Sequence, residues 1–267
     1  MTILLGFATL LCLTPLFLVV YYLLKIGIGS LSLSFFIHNP KPLGEIGGGM
    51  LNSIIGSVIT VGLASLMGIP VGLLTGMYLY EFGTDKLAFL VKILVDVLNG
   101  LPSIIIGLMI YFWISTLKTG FSAFAGSIAL SLMMIPIIAR STEEVLRMFP
   151  NTLKEAAYAL GASRPRTMFS VALKTTLGGI LSGVLSSIAR ISGETAPLLF
   201  TAFGNQFFSL RLNRPMSSLP LQIFTYARSP NPEQNKLAWA GALVLVGMVF
   251  VLNIVSKWIR RSFSKRS

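Results

Sequence analysis

The sequence predicts an all-α polytopic membrane protein with six transmembrane helices, and two observations support this prediction. Of the 267 residues, 54% are hydrophobic and only 11% are charged, and the mean hydropathy is +0.81. A soluble globular domain has about 25% charged residues, because its surface faces water. In addition, six stretches are apolar over the roughly 20 residues that a helix needs to cross a bilayer. These stretches are residues 2–24, 51–80, 87–117, 121–146, 175–203 and 237–258.

The first and third stretches need separate justification. The first has no basic residue before it and no small-residue cleavage site after it, and its apolar core is too long for a signal peptide, so we expect a retained helix. The third is less apolar in its first half, where Lys92, Asp96 and Asn99 occur. Prolines and glycines within the stretches predict kinked helices, since neighbouring helices or water can satisfy the freed carbonyl groups. The glycine pairs 72/76 and 179/183 have a spacing that suits close helix crossing.

Composition divides the chain into three segments. Residues 1–49 contain the first transmembrane helix and an extracytoplasmic loop. Residues 50–258 form a membrane domain of five helices with a cytoplasmic helix at about 151–162, and residues 259–267 form a basic cytoplasmic tail. The glycine-rich run at 44–49 lacks the Gly-Lys-Ser/Thr of a P-loop, so we expect no nucleotide site. One cysteine and one histidine exclude a disulfide framework and a Cys/His metal site.

The charges are uneven, with 21 Lys and Arg against 9 Asp and Glu and a formal net charge of +12. In a soluble protein this excess favours nucleic-acid binding. Cytoplasmic loops of membrane proteins also accumulate basic residues. With six helices, both termini lie on one side of the membrane, and most basic residues fall on that side. The positive-inside rule therefore predicts a multi-pass protein of the cell membrane with cytoplasmic termini and no nucleic-acid partner.

A short cytoplasmic helix is predicted between the fourth and fifth stretches. Asn151 can cap its start, and Gly161 suits the left-handed position at its end. Leu153, Ala157 and Leu160 share one face of this helix. A second helix start is predicted at the following Ser-Arg-Pro, residues 163–165, with proline in the first turn. A helix of this kind is often only a connector between spans.

Particular residues of this helix indicate a more specific role. They resemble the EAA loop of binding-protein-dependent ABC importer permeases, which in that family is the coupling helix that sits in a cleft of a cytoplasmic ATPase. The end of the motif departs from the family pattern, since Val171 replaces isoleucine and Lys174 replaces proline. The residues that carry the resemblance, and that it implies for ATPase coupling, are Glu155, Ala156, Ala157 and Gly161.

Arg190 lies near the middle of the fifth apolar stretch. A charge at the centre of a membrane helix costs at least about 2.5 kcal/mol, so we expect its side chain to face a cavity or a partner. Glu194 follows four residues later, so on a helix the two side chains share a face and can pair. One interpretation is an interhelical ion pair that only fixes packing. The other is an anion pathway, because the guanidinium presents a fork of donors that matches tetrahedral oxyanions.

Two further features bear on the anion pathway. Gly193 and Pro197 favour an opening of the helix that would free backbone N–H groups toward an anion. Arg140, four residues after Pro136, is a second candidate nearer the cytoplasmic end. Its alternative role is that of a positive-inside anchor at a helix end.

Residues 189–202, Ala-Arg-x-x-Gly-Glu-Thr-Ala-Pro-Leu-Leu-Phe-Thr-Ala, resemble throughout the signature of phosphate ABC transporter permeases of the PstA type. The resemblance covers about residues 50–260. It implies a type I ABC importer transmembrane domain whose activity is phosphate import. The residues expected in the substrate pathway are Arg190, Glu194, Thr195 and Arg140.

The resemblance further implies the partners of the chain. These are a homologous second permease subunit in a heterodimer, two cytoplasmic ATPase subunits, an extracytoplasmic phosphate-binding protein and the lipid bilayer. ATP and magnesium would be bound by the ATPase, so we expect no cofactor in this chain and no enzymatic activity of its own. Three alternatives stay open: a permease for sulfate or molybdate, a gradient-driven transporter that uses Arg190 and Glu194 as a relay, and a membrane scaffold.

Overall fold

The computed structural model describes residues 1–42, 45, 47–116 and 120–264, and within these residues the regular structure is helical. Helices occupy all six of the predicted apolar stretches. The helices are α1 (Thr2–Ser30), α2 (Leu33–Ile37), α3 (Leu51–Phe82), α4 (Lys86–Gly100), α5 (Ser103–Thr116), α6 (Ala123–Arg147), α7 (Asn151–Ala159), α8 (Arg164–Thr167), α9 (Leu173–Ile191), α10 (Ala196–Thr201), α11 (Leu219–Ala227) and α12 (Pro232–Ser264). A π-helical segment, Met168–Ala172, joins α8 to α9.

Among the described residues, five segments are long and apolar enough to cross a membrane, and they confirm the all-α membrane fold. They are Leu4–Ser30, Leu51–Phe82, Ala123–Arg147, Arg164–Ile191 and Pro232–Ile259. A sixth span is present if α4 and α5 are counted together. The sequence predicts one continuous helix for this segment, which is its third apolar stretch. That expectation is wrong, because the axes of α4 and α5 differ by 106°. Leu101 is extended, the conformation that a following proline favours, and Pro102 lies between the two helices.

Helix α6 is the centre of the bundle. Of the residues in its apolar segment, 67% are buried within the chain, compared with 28% for α3 and 0% for α1. Leu130 and Met134 of α6 form a buried cluster with side chains from four other helices, including Ala64 of α3, Ile110 of α5, Val184 of α9 and Leu198 of α10. Helix α1 packs against α12 at the edge of the bundle, and most of its side chains are exposed. The apolar surface of α1 is that of a helix surrounded by lipid.

The predicted close crossing at Gly72 and Gly76 is confirmed between α3 and α6. A Cβ atom on Gly72 would lie 2.8 Å from Cβ of Ile138, and one on Gly76 would lie 2.6 Å from Cβ of Thr142. Real Cβ atoms do not approach that closely, so glycine is required for this contact. The crossing holds two spans in direct backbone proximity.

The chain ends differ in detail from the predicted segments. Helix α1 continues six residues beyond the predicted end of its span, to Ser30. Helix α12 continues through Ser264, so the described part of the basic tail is helical. The last three tail residues, 265–267, and Leu117 at the end of the third stretch lie outside the described residues.

Candidate functional site

A break between α9 and α10 separates Arg190 from Glu194. Helix α9 ends at Ile191 and α10 begins at Ala196, with Pro197 in its first turn. The break predicted from Gly193 and Pro197 is therefore confirmed. The break is expected to free backbone N–H groups for an anion, and this expectation is wrong for three of them. The N–H groups of residues 192, 193 and 194 donate to the carbonyl oxygens of residues 188, 190 and 191, respectively. These groups remain bonded within the turn and are not free for an anion.

The packing register places Arg190 level with the middle of α6. The segment α9–α10 runs antiparallel to α6. Moving forward along this segment by a given number of residues moves the contact backward along α6 by the same number. The contacts are Gly179 with Val145, Gly183 with Ser141, and Gly126 with Leu198. By this register Arg190 stands opposite Met134, close to the midpoint of Ala123–Arg147. Arg190 is therefore level with the middle of a helix that is long enough to cross a membrane.

Arg190 and Glu194 do not pair. Arg190 is exposed and Glu194 is half-buried, and within the described residues neither makes an ion pair or a side-chain hydrogen bond. The expectation of a shared helix face is wrong because α9 ends between the two residues, at Ile191. Thr195, half-buried, precedes α10 and makes no side-chain cap bond. The end of α9 and the break thus present a guanidinium, a carboxylate and a hydroxyl that make no side-chain hydrogen bond among the residues that the structure describes.

The two broken spans meet at this site. Helix α5, the second half of the bent span, lies against the start of α10. A Cβ atom on Gly107 would be 2.7 Å from Cα of Pro197, so the glycine permits the contact. Discontinuous helices near mid-membrane are typical of binding sites in transporters. The fold therefore brings the second half of the bent span against the start of α10, directly after the break that follows Arg190.

Arg140 is bound by two carboxylates and is not a free guanidinium. Its Nε donates to Oδ1 of Asp96 at 2.9 Å, its Nη2 contacts the same oxygen, and its Nη1 donates to Oε2 of Glu143 at 3.0 Å. Arg147 Nη2 donates to the other oxygen of Glu143 at 2.7 Å. Only 4% of the Glu143 side chain is exposed, so this buried carboxylate is held between two arginines. The ion-pair network joins α4 to α6.

Sequence reasoning missed the two carboxylates of this network. Glu143 lies three residues after Arg140 and four before Arg147, a helical spacing that could have revealed it. Asp96 lies 44 residues before Arg140 in the sequence, and no local pattern relates them.

Helix α7 begins one residue earlier than its predicted cap requires. Pro150 is the cap residue, with φ −63° and ψ 129°, and Asn151 is the first residue of the helix and makes no side-chain cap bond. The carbonyl oxygen of Pro150 accepts from the N–H groups of Leu153 and Lys154. The expected capping role of Asn151 is therefore wrong, because the proline already provides the extended backbone that precedes a helix.

The predicted end of α7 is confirmed. Gly161 has φ +78°, the left-handed conformation that glycine adopts without strain. The N–H of Ala162 donates to the carbonyl oxygen of Ala157 at 3.0 Å, and that of Gly161 to Tyr158 at 2.9 Å. These two bonds form a Schellman motif. The predicted restart is also confirmed, since Ser163 is the cap residue of α8 and proline occupies its first turn.

The surface of α7 is more exposed than its apolar pattern predicts. Of the three residues expected on one apolar face, only Ala157 is buried, while Leu153 is 43% and Leu160 89% exposed. Glu155 and Ala156 are exposed as well. Both leucines therefore lie on a part of α7 that the described residues leave largely exposed. An exposed leucine beside the EAA residues leaves an apolar surface that this chain does not cover.

Comparison with known proteins identifies relatives over most of the chain. A family model described as "Binding-protein-dependent transport system inner membrane component" matches residues 68–267. The "Phosphate transport system permease protein PstA" of Yersinia pestis is 44% identical over 234 residues, which are 87% of this chain and 79% of the relative. PstA of Pasteurella multocida (strain Pm70) is 44% identical over 241 residues, covering 90% and 85% of the two chains.

More distant comparisons agree in fold. "Phosphate transport system permease protein PstA 1" of Mycobacterium tuberculosis (strain CDC 1551 / Oshkosh) is 37% identical over 224 residues, covering 83% of this chain and 74% of the relative. A solved chain of the inward-facing MetNI methionine ABC transporter superposes with a TM-score of 0.66 at 22% identity, covering 80% of this chain and 97% of that chain. At this identity the likeness is one of fold, that of an ABC importer membrane subunit.

Proposed function

The chain belongs to the binding-protein-dependent transport system inner membrane components, and we propose that it is the transmembrane permease subunit of an ATP-driven importer of inorganic phosphate. The observation that carries this proposal is the 44% identity to phosphate permeases over 87–90% of the chain. Because these relatives are transport permease subunits, the chain is a multi-pass membrane protein whose role is transport rather than catalysis.

The proposed substrate pathway passes Arg190. An exposed guanidinium at mid-membrane depth is too costly to face lipid. We therefore assign its exposed side to a polar path between this chain and a homologous second permease in a heterodimer. A guanidinium offers parallel N–H donors that fit a phosphate oxygen pair. Glu194 and Thr195 complete the pathway, the first by limiting the net charge beside Arg190 and the second by offering a hydroxyl donor.

Arg140 is proposed as a second pathway residue nearer the cytoplasm. Its bonds to Asp96 and Glu143 mean that an oxyanion must compete with a carboxylate for the same N–H groups. Asp96 lies on α4, in the bent span, so movement of α4 away from α6 would release Arg140. In the arrangement described here, Arg140 anchors α4 to α6.

Helix α7 is proposed as the site that receives force from the ATPase. Glu155, Ala156 and Leu160 are exposed and available to two cytoplasmic ATPase subunits, which bind the ATP and magnesium. Ala157 packs inward and Gly161 ends the helix, so these two residues fix its position. An extracytoplasmic phosphate-binding protein supplies the substrate. The basic residues near α7 and α8 support cytoplasmic termini by the positive-inside rule.

Reconstitution tests the proposed function directly. The chain, its partner permease, the ATPase and the binding protein are assembled in proteoliposomes, and radiolabelled phosphate uptake is measured with and without ATP. We expect uptake that requires ATP and is not reduced by excess sulfate or molybdate. Uptake driven by an ion gradient without ATP, or transport of sulfate or molybdate in place of phosphate, would contradict the proposal.

A further inference from the structure

Lys154 turns away from the exposed surface of α7 and reaches the end of α3. Its Nζ donates to Oε2 of Glu81 at 3.1 Å and lies 5.2 Å from the centre of the Tyr80 ring. The side chains of Lys154 and Glu81 are 28% and 12% exposed. An ion pair that is largely shielded from water and lies over an aromatic ring holds its geometry better than an exposed pair.

Lys154 and Glu81 each compensate the charge of the other. Burial lowers the pKa of Lys154, but the hydrogen bond and charge of Glu81 outweigh burial, and the pKa is raised above its ordinary value. Lys154 is therefore charged at neutral pH. Glu81 lies near the last turn of an apolar span, where an unpaired carboxylate with so little exposure is unfavourable.

The pair adds a second connection between α7 and the membrane domain. Helix α7 packs against α8 and the π-helical segment, which are continuous with α9. Lys154 instead reaches α3, which crosses α6 at Gly72 and Gly76. Helix α6 carries Arg140 and lies level with Arg190 at its midpoint. Displacement of α7 is thereby delivered to the α3–α6 pair as well as to α9.

We propose that Lys154 is a positioning residue for transport, whose ion pair with Glu81 transmits movement of α7 to α3. This inference rests on the proposed function, because it assigns the ion pair a role in ATP-driven import. Lys154 precedes the EAA residues in the sequence. Its side chain contacts the membrane domain and does not belong to the exposed surface proposed to dock the ATPase. The pair thus sets how much of the ATPase movement reaches the central helices.

The test measures phosphate imported per ATP hydrolysed by the complete reconstituted transporter. Lys154→Met removes the positive charge of the pair with little change in side-chain length, and Glu81→Gln removes the negative charge. We expect each variant to assemble and hydrolyse ATP, and to lose about five-fold or more in phosphate per ATP, the lower range of an allosteric coupling. The charge-swapped double variant, Lys154→Glu with Glu81→Lys, should recover most of the loss.

A matched control separates the role of this pair from that of ion pairs in general. Lys236 and Glu233 form an exposed pair at the start of α12, 2.9 Å apart, and Lys236→Met should leave phosphate per ATP unchanged. If Lys154→Met destabilises the complex, Glu81→Gln carries the same test. Wild-type phosphate per ATP in an assembled single variant, or no recovery in the swap, overturns the inference. A wild-type complex that fails to import phosphate would instead overturn the proposed function.

Discussion

Arg140 on α6 donates from Nε to Asp96 on α4 at 2.9 Å, so the bent span is fastened to the central helix by a guanidinium that is also a candidate substrate ligand. The second carboxylate, Glu143, holds the other side of the same guanidinium at 3.0 Å. Arg140 thus has a structural role in the arrangement described here, and it can serve an oxyanion only by exchanging one acceptor for another.

The two carboxylates predict an order of stability effects. Asp96→Asn should lower the melting temperature of the purified complex only slightly, because Asp96 is 53% exposed and Arg140 keeps Glu143. Arg140→Ala should lower it further, because it leaves the buried Glu143 with Arg147 alone. Breaking a buried pair from one side costs about 3–5 kcal/mol, an upper bound here since one partner remains. An equal or reversed order of melting temperatures would refute this assignment.

Gly161→Val should weaken association with the ATPase. The left-handed backbone at φ +78° costs a β-branched residue roughly 1–3 kcal/mol, so the end of α7 should shift or fray. The measurement is the amount of ATPase that co-purifies with the tagged permease. Gly161→Asn is the control and should retain association, because asparagine tolerates this conformation. Undiminished ATPase recovery with Gly161→Val would argue against α7 as the docking helix.

Gly72→Ala should reduce the stability of the membrane domain. The added Cβ would meet Cβ of Ile138 at 2.8 Å, and overpacking of this kind costs about 1–3 kcal/mol. Gly62→Ala, on the same helix, has no atom within 4 Å of the added Cβ and serves as the control. Thermal aggregation of detergent-solubilised protein should occur at a lower temperature for Gly72→Ala only. Identical behaviour of both variants would contradict the proposed α3–α6 contact.

Local sequence patterns predict much of this fold because they report local physics. Apolar length predicts the spans, the spacing of Gly72 and Gly76 predicts a close crossing, and Gly161 predicts the end of α7. Each of these depends on residues within a few turns of one another. These elements can be located in the sequence without knowing which other residues pack against them.

The contacts that give the site its character are not local. Asp96 and Arg140 are 44 residues apart, and Glu81 and Lys154 are 73 apart, so only the packing of separate helices brings them together. The spacing of Arg190 and Glu194 predicts a pair only on a continuous helix, and the helix ends between them. Pro102 lies inside the third apolar stretch, but a 106° bend depends on how both halves pack.

The role of Arg190 is tested most directly by phosphate uptake of Arg190→Ala in the complete reconstituted transporter. The variant should assemble, dock the ATPase and hydrolyse ATP, while phosphate uptake falls to background. Arg190→Lys should restore only part of the uptake, because an ammonium lacks the two parallel donors of a guanidinium. Uptake by Arg190→Ala at the wild-type rate, with assembly and ATP hydrolysis intact, would show that phosphate does not pass this residue.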